Sequence, residues 1–140
     1  MTRYEALRAA LADDNAAGAV ADLDVLRTAV AALVADKAAG AADLDKGVVG
    51  LTAAASTKDA AGAVVVDIKA VRLAFGELSR GVVAVVAADP ALQAGRFLFE
   101  CPMARGYQRW VQSTPAMMNP YMGKRMLECG SAISAWRVEG

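Results

Sequence analysis

The sequence predicts a mainly α-helical fold, an antiparallel bundle of about four helices carrying a small C-terminal lobe of short strands and one short helix. Three observations predict it. Hydrophobic residues make up 56% of the 140 positions but aromatics only 6%, so the apolar mass is alanine, valine and leucine, which suits closely packed helices rather than a β-sandwich. Apolar residues recur at steps of three and four through most of the stretch before Pro90, the period of a helix stripe. Beyond residue 95 the texture changes, for both tryptophans, both cysteines and every methionine except Met1 lie there. The expected organisation is one domain over residues 1–140, with a helical bundle over 1–90 and a sulfur-rich lobe over 91–140.

Each expected helix has its own stripe. Tyr4, Leu7 and Leu11 share one face of a first short helix. From Asp14 to Lys37 the stripe Val20, Leu23, Leu26, Val30 and Leu33 predicts a second helix, capped by Asp13 or Asp14 and followed by Gly40. Leu44, Val48 and Leu51 predict a third. The longest stripe, Val64, Ile68, Val71, Phe75, Leu78, Val82 and Val85, predicts a helix of about 30 residues, capped by Ser56 or Thr57 and stopped by Asp89-Pro90. Gly62, Gly76 and Gly81 within it would let backbones approach closely.

In the lobe, Phe97, Phe99, Cys101 and Met103 alternate with Leu98, Glu100 and Pro102, which predicts a strand with the first set on one face. Arg105-Gly106 would turn the chain into Tyr107 to Gln112 as its hairpin partner. Asn119-Pro120 reads as a helix start and Gly130 as the stop after Cys129. Met122, Met126 and Cys129 would then project from one side of that helix. Ser131 to Val138 is a candidate last strand carrying Trp136, and Trp110, Tyr121 and Trp136 are candidates for packing the lobe onto the bundle.

Charge excludes several function classes. The 15 basic and 15 acidic side chains balance to a formal net charge of +0, which argues against nucleic acid as a partner. The lobe is mildly basic, with Arg96, Arg105, Arg109, Lys124, Arg125 and Arg137 against Glu100, Glu128 and Glu139. No apolar run reaches the length of a membrane span. The amino terminus opens directly into a helical pattern without a signal-peptide core, which leaves either a cytoplasmic protein or one whose leader has been removed. The chain contains no histidine, so conventional triads and histidine-based zinc sites are excluded and the expectation is a non-enzymatic domain. Three dispersed glutamates and no EF-hand-like loop make hard metals a poor match for the lobe.

The remaining donors are soft. Cys101 and Met103 lie two apart on the expected strand, and Met126 and Cys129 three apart on the expected helix, the spacing at which each element aligns its side chains. Two thiolates and two thioethers suit copper(I), which prefers polarizable sulfur, whereas zinc favours thiolates and imidazoles. The candidate metal ligands are therefore Cys101, Met103, Met126 and Cys129, with Met122 as an auxiliary donor. Other readings of the same residues stand beside this one. Methionine also fills irregular core space, and Cys101 and Cys129 could be buried free thiols or could close a disulfide that stabilises a helical scaffold or partner-binding domain. A pair that holds metal when reduced and closes when oxidised would combine two of these. A thiol oxidoreductase is disfavoured because no C-x-x-C occurs.

Cys101-Pro102-Met103, Trp110-Val111-Gln112, Asn119-Pro120-Tyr121, Gly123, Met126 and Cys129-Gly130 together resemble a bacterial domain of formerly unknown function. That domain occurs alone in exported proteins and fused to periplasmic copper-efflux adaptors of the CusB type, with the signature CPM, WLQ and NPYxGxxMxxCG. The likeness is carried by residues 101–130, while the region from Tyr4 to Ala88 agrees only in general pattern. It implies a periplasmic or otherwise extracytoplasmic helical domain concerned with copper or heavy-metal resistance, with Cys101, Met103, Met126 and Cys129 at the family's sulfur positions and a copper-efflux or copper-carrier protein as partner. Val111 stands where the family has leucine, Glu100 where it often has histidine and Met122 where an aromatic is common, changes that would leave this chain a more purely sulfur site.

Overall fold

The computed structural model describes residues 1–139. It is mainly helical, with helices α1 (Thr2–Ala12), α2 (Ala16–Ala19), α3 (Leu23–Ala35), α4 (Ala41–Ala55), α5 (Ile68–Ala88) and α6 (Pro90–Gln93), then strands β1 (Phe97–Glu100), β2 (Arg109–Gln112) and β3 (Ser131–Ile133). A 3-10 helix, Gly123–Met126, lies between β2 and β3. Among the described residues no helix is long and apolar enough to cross a membrane.

The stripe of α5 organises the core. Val71, Phe75, Leu78, Val83 and Val86 are fully buried on it, which is what a helix apolar over a wide face does when neighbours cover it on more than one side. One neighbour is α4, which runs antiparallel: Gly47 sits over Leu78, and Gly81 over Leu44 and Gly40. A Cβ on Gly47 would fall 2.6 Å from the Leu78 backbone nitrogen, and one on Gly81 2.6 Å from Leu44 Cγ. The glycines thus let these two helices pack with backbone nearly touching backbone.

The sheet is the other neighbour of α5. Its order is β2-β1-β3, antiparallel throughout, with Phe99 opposite Trp110 and Leu98 opposite both Val111 and Ile133. The outer edge of β2 is met by side chains. Val111 N–H donates to Tyr4 Oη at 3.1 Å, Tyr4 Oη and Ser79 Oγ are 2.8 Å apart, and Ser79 Oγ donates to the Arg109 carbonyl at 2.7 Å. Because Ser79 spends its only proton on that carbonyl, Tyr4 is the donor between the two hydroxyls, and they form one directed chain. Tyr121 Oη donates to the same Arg109 carbonyl at 2.7 Å. Burial pushes the Tyr4 and Tyr121 phenols well above their ordinary range. An aromatic ladder runs alongside: Tyr4 stacks on Phe75, Phe75 meets Tyr121 edge-on, Tyr121 meets Trp110 edge-on and Trp110 stacks on Phe99. Trp110 and Tyr121 therefore do pack the lobe onto the helices, as the sequence suggests, and Trp136, half-buried beyond β3, packs against the same core.

Several expectations are corrected. The long helix begins at Ile68, not near Thr57, with Asp67 as its cap accepting from Lys69 N–H. Asp59 instead accepts from the Ala61 and Ala63 amides, Gly62 takes φ +84°, and Lys58 pairs with Val64. A β-branched Val64-Val65-Val66 run after an Asx turn favours extended chain over helix. The stripe from Asp14 to Lys37 is split into α2 and α3 because Asp22 adopts a left-handed conformation, and Asn15 rather than either aspartate caps α2 through Gly18 N–H. The aspartates serve elsewhere: Asp14 accepts from Arg72 at 2.8 Å and from Lys124 N–H at 3.1 Å, and Asp13 pairs with the Lys124 ammonium. The last strand ends at Ile133 instead of running to Val138.

Candidate functional site

β1 stops at Glu100 rather than continuing to Met103. Pro102 has no N–H to give a ladder and presets the φ of a turn, and the Ala104 amide closes that turn on the Cys101 carbonyl at 3.2 Å. Cys101 keeps one last hairpin hydrogen bond, from its own N–H to the Gln108 carbonyl. Its side chain is fully buried, whereas Met103, two residues on, is 58% exposed. The alternation therefore holds for Phe97 and Phe99 within β1 but does not extend to Met103, so the expected face of Phe97, Phe99, Cys101 and Met103 is incomplete. The central strand is covered on both sides and the chain turns before the alternation is complete.

The second sulfur segment also departs from expectation. Asn119 caps as predicted, its Oδ1 accepting from Tyr121 N–H at 2.8 Å and Met122 N–H at 3.1 Å. Gly123 then takes φ +68°, pressed against Asp14 and Arg72, and a left-handed residue breaks an α-helix. From Gly123 the chain makes only the 3-10 turn that ends at Met126. Met122, Met126 and Cys129 therefore do not sit on consecutive turns of one α-helix. Met122 is half-buried and Met126 is 37% exposed.

Cys129 is nevertheless carried back to Cys101. The Asn119 amide donates to the Cys129 carbonyl at 2.7 Å, and Asn119 N–H donates to the Leu127 carbonyl at 2.9 Å. At Gly130, φ +126°, a Cβ would overlap the Glu100 carbonyl, so only glycine allows β3 to be laid against β1 directly after the second cysteine. The outcome is a pair of free thiols whose sulfurs lie 3.4 Å apart, one buried and one half-buried. The hydrogen bond with Cys101 is the main reason the Cys129 thiol is held above its usual range, with burial and repulsion by Cys101 adding to it.

Of the five sulfur residues singled out by the sequence, the fold joins Cys101 to Cys129 and places Met103 and Met122 in the walls of one cleft. Among the described residues no three histidine, cysteine, aspartate or glutamate side chains cluster as a metal cage. Any ion at the thiol pair would thus need thioether or exogenous donors to complete its shell. Sequence reasoning missed Gln112 as an organiser of the lobe. Its buried amide accepts from Trp110 Nε1 and Met118 N–H and donates to the Thr114 and Ala116 carbonyls, and the Trp110-Val111-Gln112 likeness names the residue without revealing those partners.

No protein-family model, curated protein or solved structure matches the chain.

Proposed function

We propose that this chain is a non-enzymatic domain that binds a soft metal ion, copper(I) fitting best, through the thiolates of Cys101 and Cys129. The single observation that carries the reading is the 3.4 Å approach of the only two cysteines, 28 residues apart in sequence. Thiolates about 2.3 Å from a tetrahedral ion would lie about 3.8 Å from each other. A few tenths of an ångström of opening therefore admits an ion with further donors, whereas a linear two-thiolate ion needs more than an ångström. The thioethers of Met103 and Met126 are the proposed further donors, with Met122 as auxiliary, and the absence of histidine keeps the donor set soft. The resemblance of residues 101–130 to the CusB-associated domain supports the same assignment. It extends the proposal to metal buffering, resistance or transfer outside the cytoplasm, opposite a copper-efflux or copper-carrier protein, with the helices as an antiparallel bundle that holds the lobe.

Titration of reduced protein with copper(I) against a competing chelator tests this. One ion per chain is expected, with affinity rising with pH because two thiols must lose protons, and with binding lost in Cys101→Ser plus Cys129→Ser. Absence of stoichiometric uptake, or unchanged uptake in the double variant, removes the proposal.

The same distance favours a second reading. The sulfurs are about 1.4 Å further apart than a disulfide bond of about 2.05 Å, so oxidation would close a structural crosslink that stabilises a scaffold without metal. Mass measurement after alkylation with and without reductant separates the two, since a protein isolated only as the disulfide and taking up no metal belongs to the second.

A further inference from the structure

A cleft of about 530 Å³ opens beside the lobe, between the chain after α1, the start of α5, the Cys101–Ala104 turn and the segment from Tyr121 to Arg125. Four cations line it, Lys69, Arg72, Arg105 and Arg125, against one carboxylate, Asp14, a lining charge of +3 in a chain whose formal net charge is +0. Asp14 is spent on Arg72 and the Lys124 amide. Arg72 is fixed in place, since it also donates to the Pro120 and Leu11 carbonyls. Lys69, Arg105 and Arg125 have no ion-pair partner among the described residues, whereas Arg72 has Asp14. Between these charges the walls are apolar: Leu73 and Met103, 49% and 58% exposed, face the cleft with Met122 and the ring of Tyr121.

A concave site of ligand size, largely apolar in its walls and carrying a few polar or charged groups, is the general form of a small-molecule pocket. Guanidinium groups recognise carboxylate and phosphate oxygens in pairs of hydrogen bonds. We propose that this cleft binds a small organic anion, a carboxylate or phosphate on an apolar body. The anionic head meets Arg105 and Arg125 with Lys69 nearby, and the body covers Leu73, Met103 and Met122. The cleft does not include the thiol pair and the proposal does not rest on metal binding there, although Met103 and Met122, named above as metal donors, also line it.

The test is an amide NMR titration of the full reduced chain with phenyl phosphate. Saturable shifts are expected at Lys69, Leu73, Arg105, Met122 and Arg125, weakened by added salt and weakened at least about tenfold in Arg105→Glu plus Arg125→Glu. Both arginines are exposed, and Lys69→Glu, at an exposed position in the first turn of α5, gives an independent reading should the double variant lose dispersion. Cys101→Ser plus Cys129→Ser should bind phenyl phosphate as the parent does. Shifts that do not saturate, that map elsewhere or that persist unchanged in the charge variants overturn the proposal. Inorganic phosphate binding as tightly as phenyl phosphate overturns the apolar part, and a hexaglutamate peptide binding more tightly than either makes the cleft a protein-docking site instead.

Discussion

The helices and the lobe are held by different physics. Between α4 and α5 the work is done by apolar burial and by glycines that bring backbones together, a non-directional force that tolerates small shifts. In the lobe the regular elements are three or four residues long, too short to hold themselves. Buried amides and a guanidinium take over: Gln112 gathers residues 114–118, Asn119 ties Tyr121 and Met122 to Cys129, and Arg109 donates to the Arg137 carbonyl. Hydrogen bonds of that kind are directional and expensive to leave unmade. The part of the molecule with the least regular structure therefore has its two sulfurs fixed by the most specific contacts.

The most damaging single change to the join between helices and lobe falls at Phe75 of α5. Phe75 stacks on Tyr4 and meets Tyr121, so Phe75→Ala should cost about 3–5 kcal/mol. Denaturation followed by tryptophan fluorescence and by far-ultraviolet circular dichroism should shift by the same amount. Two separated transitions would show instead that helices and lobe unfold independently.

Asn119→Ala sharpens the contrast, because it strips partners from Tyr121 N–H, Met122 N–H and the Cys129 carbonyl while touching no helix of the first 90 residues. A loss of about 1–3 kcal/mol is expected, with helical dichroism intact and faster alkylation of Cys129 as its hydrogen bond with Cys101 loosens. Unchanged alkylation kinetics would mean that the thiol pair is positioned by something other than this side chain.

The smallest effect lies at the seam. Arg72, and with it the Lys124 amide, holds the Asp14 carboxyl below its ordinary value. A carboxylate depressed on folding contributes stability that is complete above the unfolded value of about 3.9 and fades as pH falls through the folded one. Asp14 is partly exposed, so screening limits the contribution to under about 1 kcal/mol. In urea melts Asp14→Asn should lose up to that amount at neutral pH and converge on the parent as the solution is acidified. An equal loss at every pH would point to packing rather than charge.

Helices are legible in the sequence wherever an apolar stripe is deep in the core, as in α1, α4 and α5 from Ile68 onward. The reading fails where the stripe runs over Val64, which is exposed, since periodicity does not report burial and a single Asp59 turn or a left-handed Asp22 overrides it. The convergence of Cys101 and Cys129 is legible from the hairpin and the Asn119 cap. The methionines are not, because their expected alignment assumes a regular strand through Pro102 and a regular helix through Gly123. The basic cleft is invisible for another reason: Lys69 lies on α5 and Arg105 and Arg125 in the lobe, and nothing in their spacing joins them.

The hydroxyl chain on β2 has a bearing on how the gene can be divided. Tyr4 and Ser79 occupy hydrogen-bonding groups that this outermost strand would otherwise offer to water. A fragment starting near residue 91 would carry every sulfur of interest and still be a poor reagent, for its bare margin would invite a neighbouring molecule to supply the missing strand. Studies of the thiols are better served by the intact polypeptide.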